Sequence, residues 1–203
     1  MNDVNRARVL IANRGAISVR IQRTLRELGM EPVVIYHELD RESLHVQQSS
    51  LNYSLGFGSV GDTYLNIPKI IGIAREAGAW AIHPGYGFLS ETAEFVRACE
   101  AENIVFLGPT AAQIEQFGLK HQAREIAESV GVPLVPGSSA LADCDAALAA
   151  ASRVGYPVML KSSAGGGGIG MAVCRSPEDV TQAWHSVLQV SRSNFSDATL
   201  FLE

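Results

Sequence analysis

Four consecutive glycines, Gly165 to Gly168, follow the apolar segment Val158-Met159-Leu160-Lys161-Ser162-Ser163-Ala164. Glycine lacks a Cβ, so its backbone reaches conformations closed to other residues. Successive N–H groups can then converge on one anion, typically a phosphate. Lys161 adds a positive charge at the end of the incoming segment. Gly165-x-Gly167-x-x-Gly170 matches the dinucleotide fingerprint, but that fingerprint must open a helix. Met171-Ala172-Val173-Cys174 reads as a strand instead. The run therefore reads as a flap joining two antiparallel strands, with a plain glycine linker as the bland alternative. A Walker A loop is excluded, because no GxxxxGK[ST] occurs.

Two further loops carry chemistry-bearing residues. His83-Pro84-Gly85-Tyr86-Gly87-Phe88-Leu89-Ser90-Glu91 combines an imidazole, a phenol and two glycines. It reads as a substrate loop, or as a tight turn in which Ser90 caps a helix begun by Glu91. Asn13-Arg14-Gly15 could hold an anion or lead into a helix, and the residues favour neither. His83 alone is more often structural than catalytic. Arg20, Arg23 and Glu27 share a helix face by their spacing, a pattern usual for a solvated surface.

Alternating strands and helices must position these loops. Strand candidates are residues 8–12, 32–36, 53–55, 80–82 and 104–107. Between them lie helical patterns at 15–28, 44–50, 63–77 and 91–101, two of them closed by Gly29 and Gly78. This order predicts an α/β domain with a doubly wound parallel sheet over residues 1–115. Both loops follow strands, so both should lie at the carboxyl edge, where such sheets bind ligands. A helical linker is expected at 116–133, with helices over 111–116 and 120–130. Residues 134–203 read as a small α+β module: strand, helix 144–153, strand, glycine loop, strand 171–174, helix 177–190 and a terminal strand 199–203. Ser176 and Pro177 suit the start of that last long helix.

Composition bounds the partners. Hydrophobic residues make up 47% and charged residues 18% of the 203 residues, which is ordinary for a folded domain. A net charge of −5 disfavours nucleic acid or an anionic membrane as the main partner. No apolar stretch is long enough to span a membrane. Cys99, Cys144 and Cys174 have no metal-ligand spacing and read as thiols in a reducing cytoplasm. The chain stops within a strand pattern, so a truncated piece of a longer chain is expected.

Leu10-Ile11-Ala12-Asn13-Arg14-Gly15, residues 83–91, Phe106-Leu107-Gly108-Pro109 and residues 161–171 occur together in the order found in biotin carboxylases. The chain thus resembles that family of the ATP-grasp superfamily over essentially its whole length. Phe117-Gly118-Leu119-Lys120-His121 and Ile169 look like the urea carboxylase branch, with the biotin carboxylase subunit of an acyl-CoA carboxylase or a guanidine-type carboxylase as the alternative. The resemblance implies a pre-ATP-grasp domain followed by an ATP-grasp lid. It implies ATP phosphates held by Lys120 and Lys161, closure of Gly165, Gly166, Gly167 and Gly168 over the triphosphate, Met171 beside the adenine, and Glu203 at the adenine amino group. Tyr86 and Gly87 would line the region where biotin and bicarbonate meet. Arg20, Arg23 and Glu27 match a homodimer contact. The implied reaction phosphorylates bicarbonate with ATP and transfers CO2 from carboxyphosphate to biotin on a carrier domain, with a carboxyltransferase domain acting next.

Some residues depart from the family pattern. Ala16 stands where a glutamate is usual, and Ser18 where alanine is common. The family's Mg2+ ligands, bicarbonate arginine and general base would lie beyond residue 203, so the chain alone is expected to fold without turning over ATP. The competing readings are another ATP-grasp ligase, a non-catalytic nucleotide-binding module, and a nicotinamide dehydrogenase. The 83–91 string disfavours the first. The absence of a helix-opening GxGxxG disfavours the last.

Overall fold

The computed structural model describes residues 7–164, 168–195 and 197–203. The chain forms two compact units, Met1–Ile114 and Glu115–Glu203. The first contains β1 (Arg8–Ile11), α1 (Gly15–Glu27), β2 (Glu31–Tyr36), a 3-10 turn (Glu38–Asp40), α2 (Leu44–Gln47), β3 (Leu51–Ser54), α3 (Ile67–Glu76), β4 (Ala81–His83), α4 (Ala93–Ala101) and β5 (Val105–Phe106). Helix α5 (Ala111–Gly118) crosses the boundary. The second unit holds α6 (Lys120–Ser129), α7 (Cys144–Val154), β6 (Val158–Ser162), β7 (Met171–Cys174), α8 (Pro177–Asn194) and β8 (Leu200–Leu202).

The first sheet is parallel, in the order β3-β2-β1-β4-β5. Its central strands are buried on both faces, which is why they read as unbroken apolar runs. Val9, Ile11, Val34 and Ala81 pack with Ile21 and Leu25 of α1. Leu10, Val33, Ile35 and Ile82 face Ile70 and Ala74 of α3 and Phe95 of α4. Helices thus cover both faces, as a doubly wound sheet requires. Gly29 and Gly78 end their helices at φ +74° and +61°. After each glycine the chain closes a six-residue bond, Met30 N–H to Leu25 O and Ala79 N–H to Ala74 O, both 2.8 Å.

The second sheet is antiparallel, in the order β7-β6-β8. Val158 and Leu160 of β6 point into a separate core with Ala147, Ala151, Val180, Trp184 and Leu202. Ser176 caps α8, its side chain accepting from Asp179 N–H.

Several boundaries differ from the sequence expectation. The helix expected from residue 63 starts at Ile67, because the Asn66 side chain accepts from Lys69 N–H and fixes the start there. The helix expected from Glu91 starts at Ala93 with Thr92 as its N-cap, so Ser90 is not the cap. Gly87 and Phe88 hold φ of +67° and +44°, and the turn they make delays the helix. The strand expected after residue 134 is reduced to one bridge, Leu141 to Leu200. Pro136 lacks an N–H to pair, and Ser138 instead bonds Leu202 by both its amide and its hydroxyl. Helix α8 runs four residues further than expected, to Asn194.

Candidate functional site

In the second unit, chemistry gathers on one face of β6 and β8. Side chains alternate along a strand, so Met159 and Lys161 turn away from the core that Leu160 enters. Lys161 pairs with Met171 on one side and with Phe201 on the other. Glu203 lies two residues beyond Phe201, diagonal to Lys161 and on the same face, within reach of a long side chain. The Lys161 ammonium donates to Glu203 Oε2 at 2.6 Å and sits 5.4 Å from the Phe201 ring centre. The other carboxylate oxygen accepts from Arg124 Nη1 at 2.9 Å. Burial alone would push Glu203 up; the bond to Lys161 and its charge, and then the charge and bond of Arg124, outweigh it and hold this carboxyl below its ordinary range. Two cations on one carboxylate leave a net positive charge, suited to phosphate.

The first turn of α6 docks on the end of β6. Lys120 N–H donates to Ser163 O at 3.2 Å, and Lys120 Nζ reaches the same oxygen at 3.4 Å. His121 Nδ1 lies 2.6 Å from the Ser163 hydroxyl, and its amide lies 3.3 Å from it. Ser163 is fully buried. Ser162 N–H donates to Gly170 O at 2.8 Å, closing the neck of the glycine loop. Lys120, Lys161 and the two ends of the loop are thus tied to one short stretch, residues 161–163. Gly168 has φ +81° and Met171 is exposed. Gly165, Gly166 and Gly167 lie outside the described residues.

In the first unit, strand order reverses between β1 and β4, the switch point where open α/β sheets bind ligands. A cleft of about 380 Å³ opens there, walled by residues 13–17 and 86–88. Asn13 is buried and stitches its two walls together. Its Nδ2 donates to Pro84 O and Tyr86 O, both at 2.8 Å, and its Oδ1 accepts from Arg14 N–H at 2.9 Å. A Cβ on Gly85 would come within 2.7 Å of Asn13 Nδ2, and Gly85 has φ +69°. Tyr86 is exposed and Gly87 lies at the lip. Arg14 is committed to Asp40, with Nε to Oδ2 at 2.5 Å and Nη2 on the other oxygen. Tyr64 also donates to Asp40 Oδ2, at 3.1 Å. That ion pair makes Arg14 a brace rather than a ready anion ligand. His83 Nδ1 accepts from Gly85 N–H at 3.0 Å, and burial lowers its pKa, so the ring is a neutral part of the turn.

The structure brings Lys161, Met171 and Glu203 onto one face and ties Lys120 to the strand that carries Lys161. Arg20, Arg23 and Glu27 lie exposed along α1. Arg124, His121 with Ser163, and Asn13 as a stitch were not read as functional from sequence. The one available signal was Lys120-x-x-x-Arg124, which puts two cations on one helix face. Among the described residues no three His, Cys, Asp or Glu side chains gather as a metal site, and no helix is long and apolar enough to cross a membrane.

Residues 5–114 match the family described as biotin carboxylase, N-terminal domain. The chain belongs to the biotin carboxylase family. Residues 120–203 match the family described as carbamoyl-phosphate synthase L chain, ATP binding domain. A biotin carboxylase of Halalkalibacterium halodurans is 48% identical over 97% of this chain and 44% of its own length. A urea amidolyase of Lachancea kluyveri is 47% identical over 96% of this chain and 11% of its own length. The chain therefore spans less than half of each of these relatives. Among solved structures, the biotin carboxylase domain dimer of Hydrogenobacter thermophilus 2-oxoglutarate carboxylase, in complex with MgADP, ADP and bicarbonate, superposes with a TM-score of 0.91. It is 43% identical, over 97% of this chain and 43% of that one. A Campylobacter jejuni biotin carboxylase in a β-γ-ATP complex gives 0.92 at 41% identity, over 97% and 44%.

Proposed function

We propose that these 203 residues form part of an ATP-dependent carboxylase that loads CO2 onto carrier-bound biotin. Residues 1–115 serve as its N-terminal domain, 116–133 as a helical linker, and 134–203 as the ATP-grasp lid. The observation that carries this reading is the Lys161–Glu203 pair beside the neck of the glycine loop, in a chain of this family. Lys120 and Lys161 hold ATP phosphates, and positive charge there offsets the charge that spreads over a transferring phosphoryl group. Gly165 to Gly168 cover the triphosphate with backbone N–H groups. Met171 and Glu203 border the adenine. The residues present fit such a nucleotide, since two cations share one carboxylate here and a third cation, the Lys120 ammonium, is anchored one strand end away.

Tyr86 and Gly87 belong to the biotin and bicarbonate side. Asn13 holds that loop by its two carbonyl bonds. Arg20, Arg23 and Glu27 form a contact between two copies, which their exposure on one helix permits. The Mg2+ that accompanies ATP would take its protein ligands from elsewhere in the enzyme, as would the carrier and carboxyltransferase steps. The site is cytoplasmic in this reading.

The urea branch is supported by two residues. His121 follows Lys120, and its 2.6 Å contact with Ser163 gives that position a physical task. Ile169 is exposed in the glycine loop. Identity to a urea amidolyase and to a biotin carboxylase is nearly equal, so these residues rather than overall similarity favour urea as the final acceptor.

In a carboxylase polypeptide containing this chain, bicarbonate-dependent ADP release should fall by about two orders of magnitude in Lys161→Ala, on the scale of losing one charge-stabilising group. Near-normal release would remove Lys161 from the phosphate site. The 203-residue chain alone should give no bicarbonate-dependent ADP release. Urea-dependent turnover of carboxybiotin decides the branch.

A further inference from the structure

Arg124 belongs to none of the motifs that carry the family resemblance, yet it sits at the centre of the second unit's charged cluster. Its side chain is only 16% exposed. It spends two separate N–H groups on two separate segments. Nη1 donates to Glu203 Oε1 at 2.9 Å, and Nη2 donates to Val135 O at 2.7 Å. The space around it is kept clear. A Cβ on Gly137 would come within 2.6 Å of Arg124 Nη2 and of Leu202 O. Helix α6, the 135–137 segment and the end of β8 thus meet at one planar guanidinium.

We propose that Arg124 is a positioning residue for Lys161, acting through Glu203. This rests on the reading of the second unit as a nucleotide site. A carboxylate has two oxygens. Were both open to Lys161, Glu203 would hold the ammonium with both and compete strongly with an incoming phosphate. Arg124 occupies one oxygen and leaves the other to orient Lys161. The lysine is then aimed by a partner whose charge is already half engaged, and it can be yielded to a phosphate or shared with one. The rigid fork of arginine is what lets one side chain fix the carboxylate and brace itself on Val135 O at once. A lysine would supply the charge without the second fixed prong.

Two measurements test this. In the 203-residue chain without nucleotide, ¹³C NMR titration of the Glu203 carboxyl should show its midpoint rising from wild type to Arg124→Lys and further to Arg124→Met. In a carboxylase polypeptide containing the chain, Arg124→Met should raise KM for ATP about tenfold, the scale of one charged hydrogen bond, with kcat within about twofold. KM for bicarbonate should stay unchanged, and Arg124→Lys should recover part of the loss. Arg124→Met combined with Glu203→Gln should be no worse than the worse single variant, because one acts through the other. Arg124→Lys keeps the test open should Arg124→Met fail to fold. The proposal is overturned by a KM for ATP within about twofold of wild type in Arg124→Met, by additive effects, or by an unmoved Glu203 titration. A wild-type polypeptide without bicarbonate-dependent ADP release would instead sink the functional reading, leaving the titration to judge whether Arg124 governs Glu203.

Discussion

Asn13 shows how one side chain can set a loop. Replacing it with alanine leaves Pro84 O and Tyr86 O without their donor and frees both walls of the cleft. The expected loss is about 2 kcal/mol of stability, read by urea denaturation, since buried carbonyls left unpaired cost more than the bonds were worth. Gly85→Ala should be at least as damaging, because it adds a left-handed penalty to a 2.7 Å clash with the same Asn13. A Gly85→Ala variant as stable as wild type would show that the stitch is not needed. The string HPGYG announced a tight turn in the sequence, and the turn is there. That Asn13, seventy residues earlier, would be its anchor was not legible, because only the parallel pairing of β1 with β4 brings them together. Arg14 illustrates the opposite limit. A strand-end arginine invites an anion, but Asp40 takes it, and no local spacing links positions 14 and 40.

Among the elements, the strongly patterned ones were legible and those shaped by side-chain competition were not. β1, β2 and α1 follow from apolar runs and helical spacing. The expected strand after residue 134 failed because Pro136 and Gly137 interrupt it and Ser138 makes the bond a strand neighbour would have made. The Lys161–Glu203 pair depended on register: both residues were singled out separately, but their meeting needed β6 and β8 to lie side by side in one alignment. Element-scale tests follow. Ser176→Ala removes the α8 cap and should cost about 1 kcal/mol. Leu160→Ala, in the middle strand of the small sheet, should cost about 2–5 kcal/mol, the range for a fully buried leucine. Thermal or denaturant melts check both, and a smaller loss for Leu160→Ala than for Ser176→Ala would contradict the assigned core.

At the scale of the molecule, the two apolar clusters of the first unit share no residue with that of the second, among the described residues. Leu160→Ala should therefore lower the melting of the second unit far more than that of the first, read by hydrogen exchange in each. Acid stability should fall in two stages. His45 and His83 are pushed down by burial, so the unfolded chain binds their protons first as pH drops below about 6.5, and stability declines from there. The depressed carboxylates, among them Asp40 beside Arg14 and Asp197 beside Thr199, lose their contribution only below about pH 4.5. His45→Leu should flatten the first stage in a series of urea melts between pH 7 and 5. An unchanged slope would discount His45 as its source.

The pairing of Arg14 with Asp40, together with a neutral His83 and an apolar Ala16, leaves the switch-point cleft with no uncompensated charge among these groups. The second unit's face, by contrast, carries two cations to one carboxylate. Ionic strength should then separate the two places. Nucleotide affinity should weaken steadily as salt rises and the screening length shrinks from about 10 Å at 0.1 M to about 3 Å at 1 M. A neutral ring seated in the cleft should be nearly indifferent to the same change, whereas an anion beside it would feel the salt.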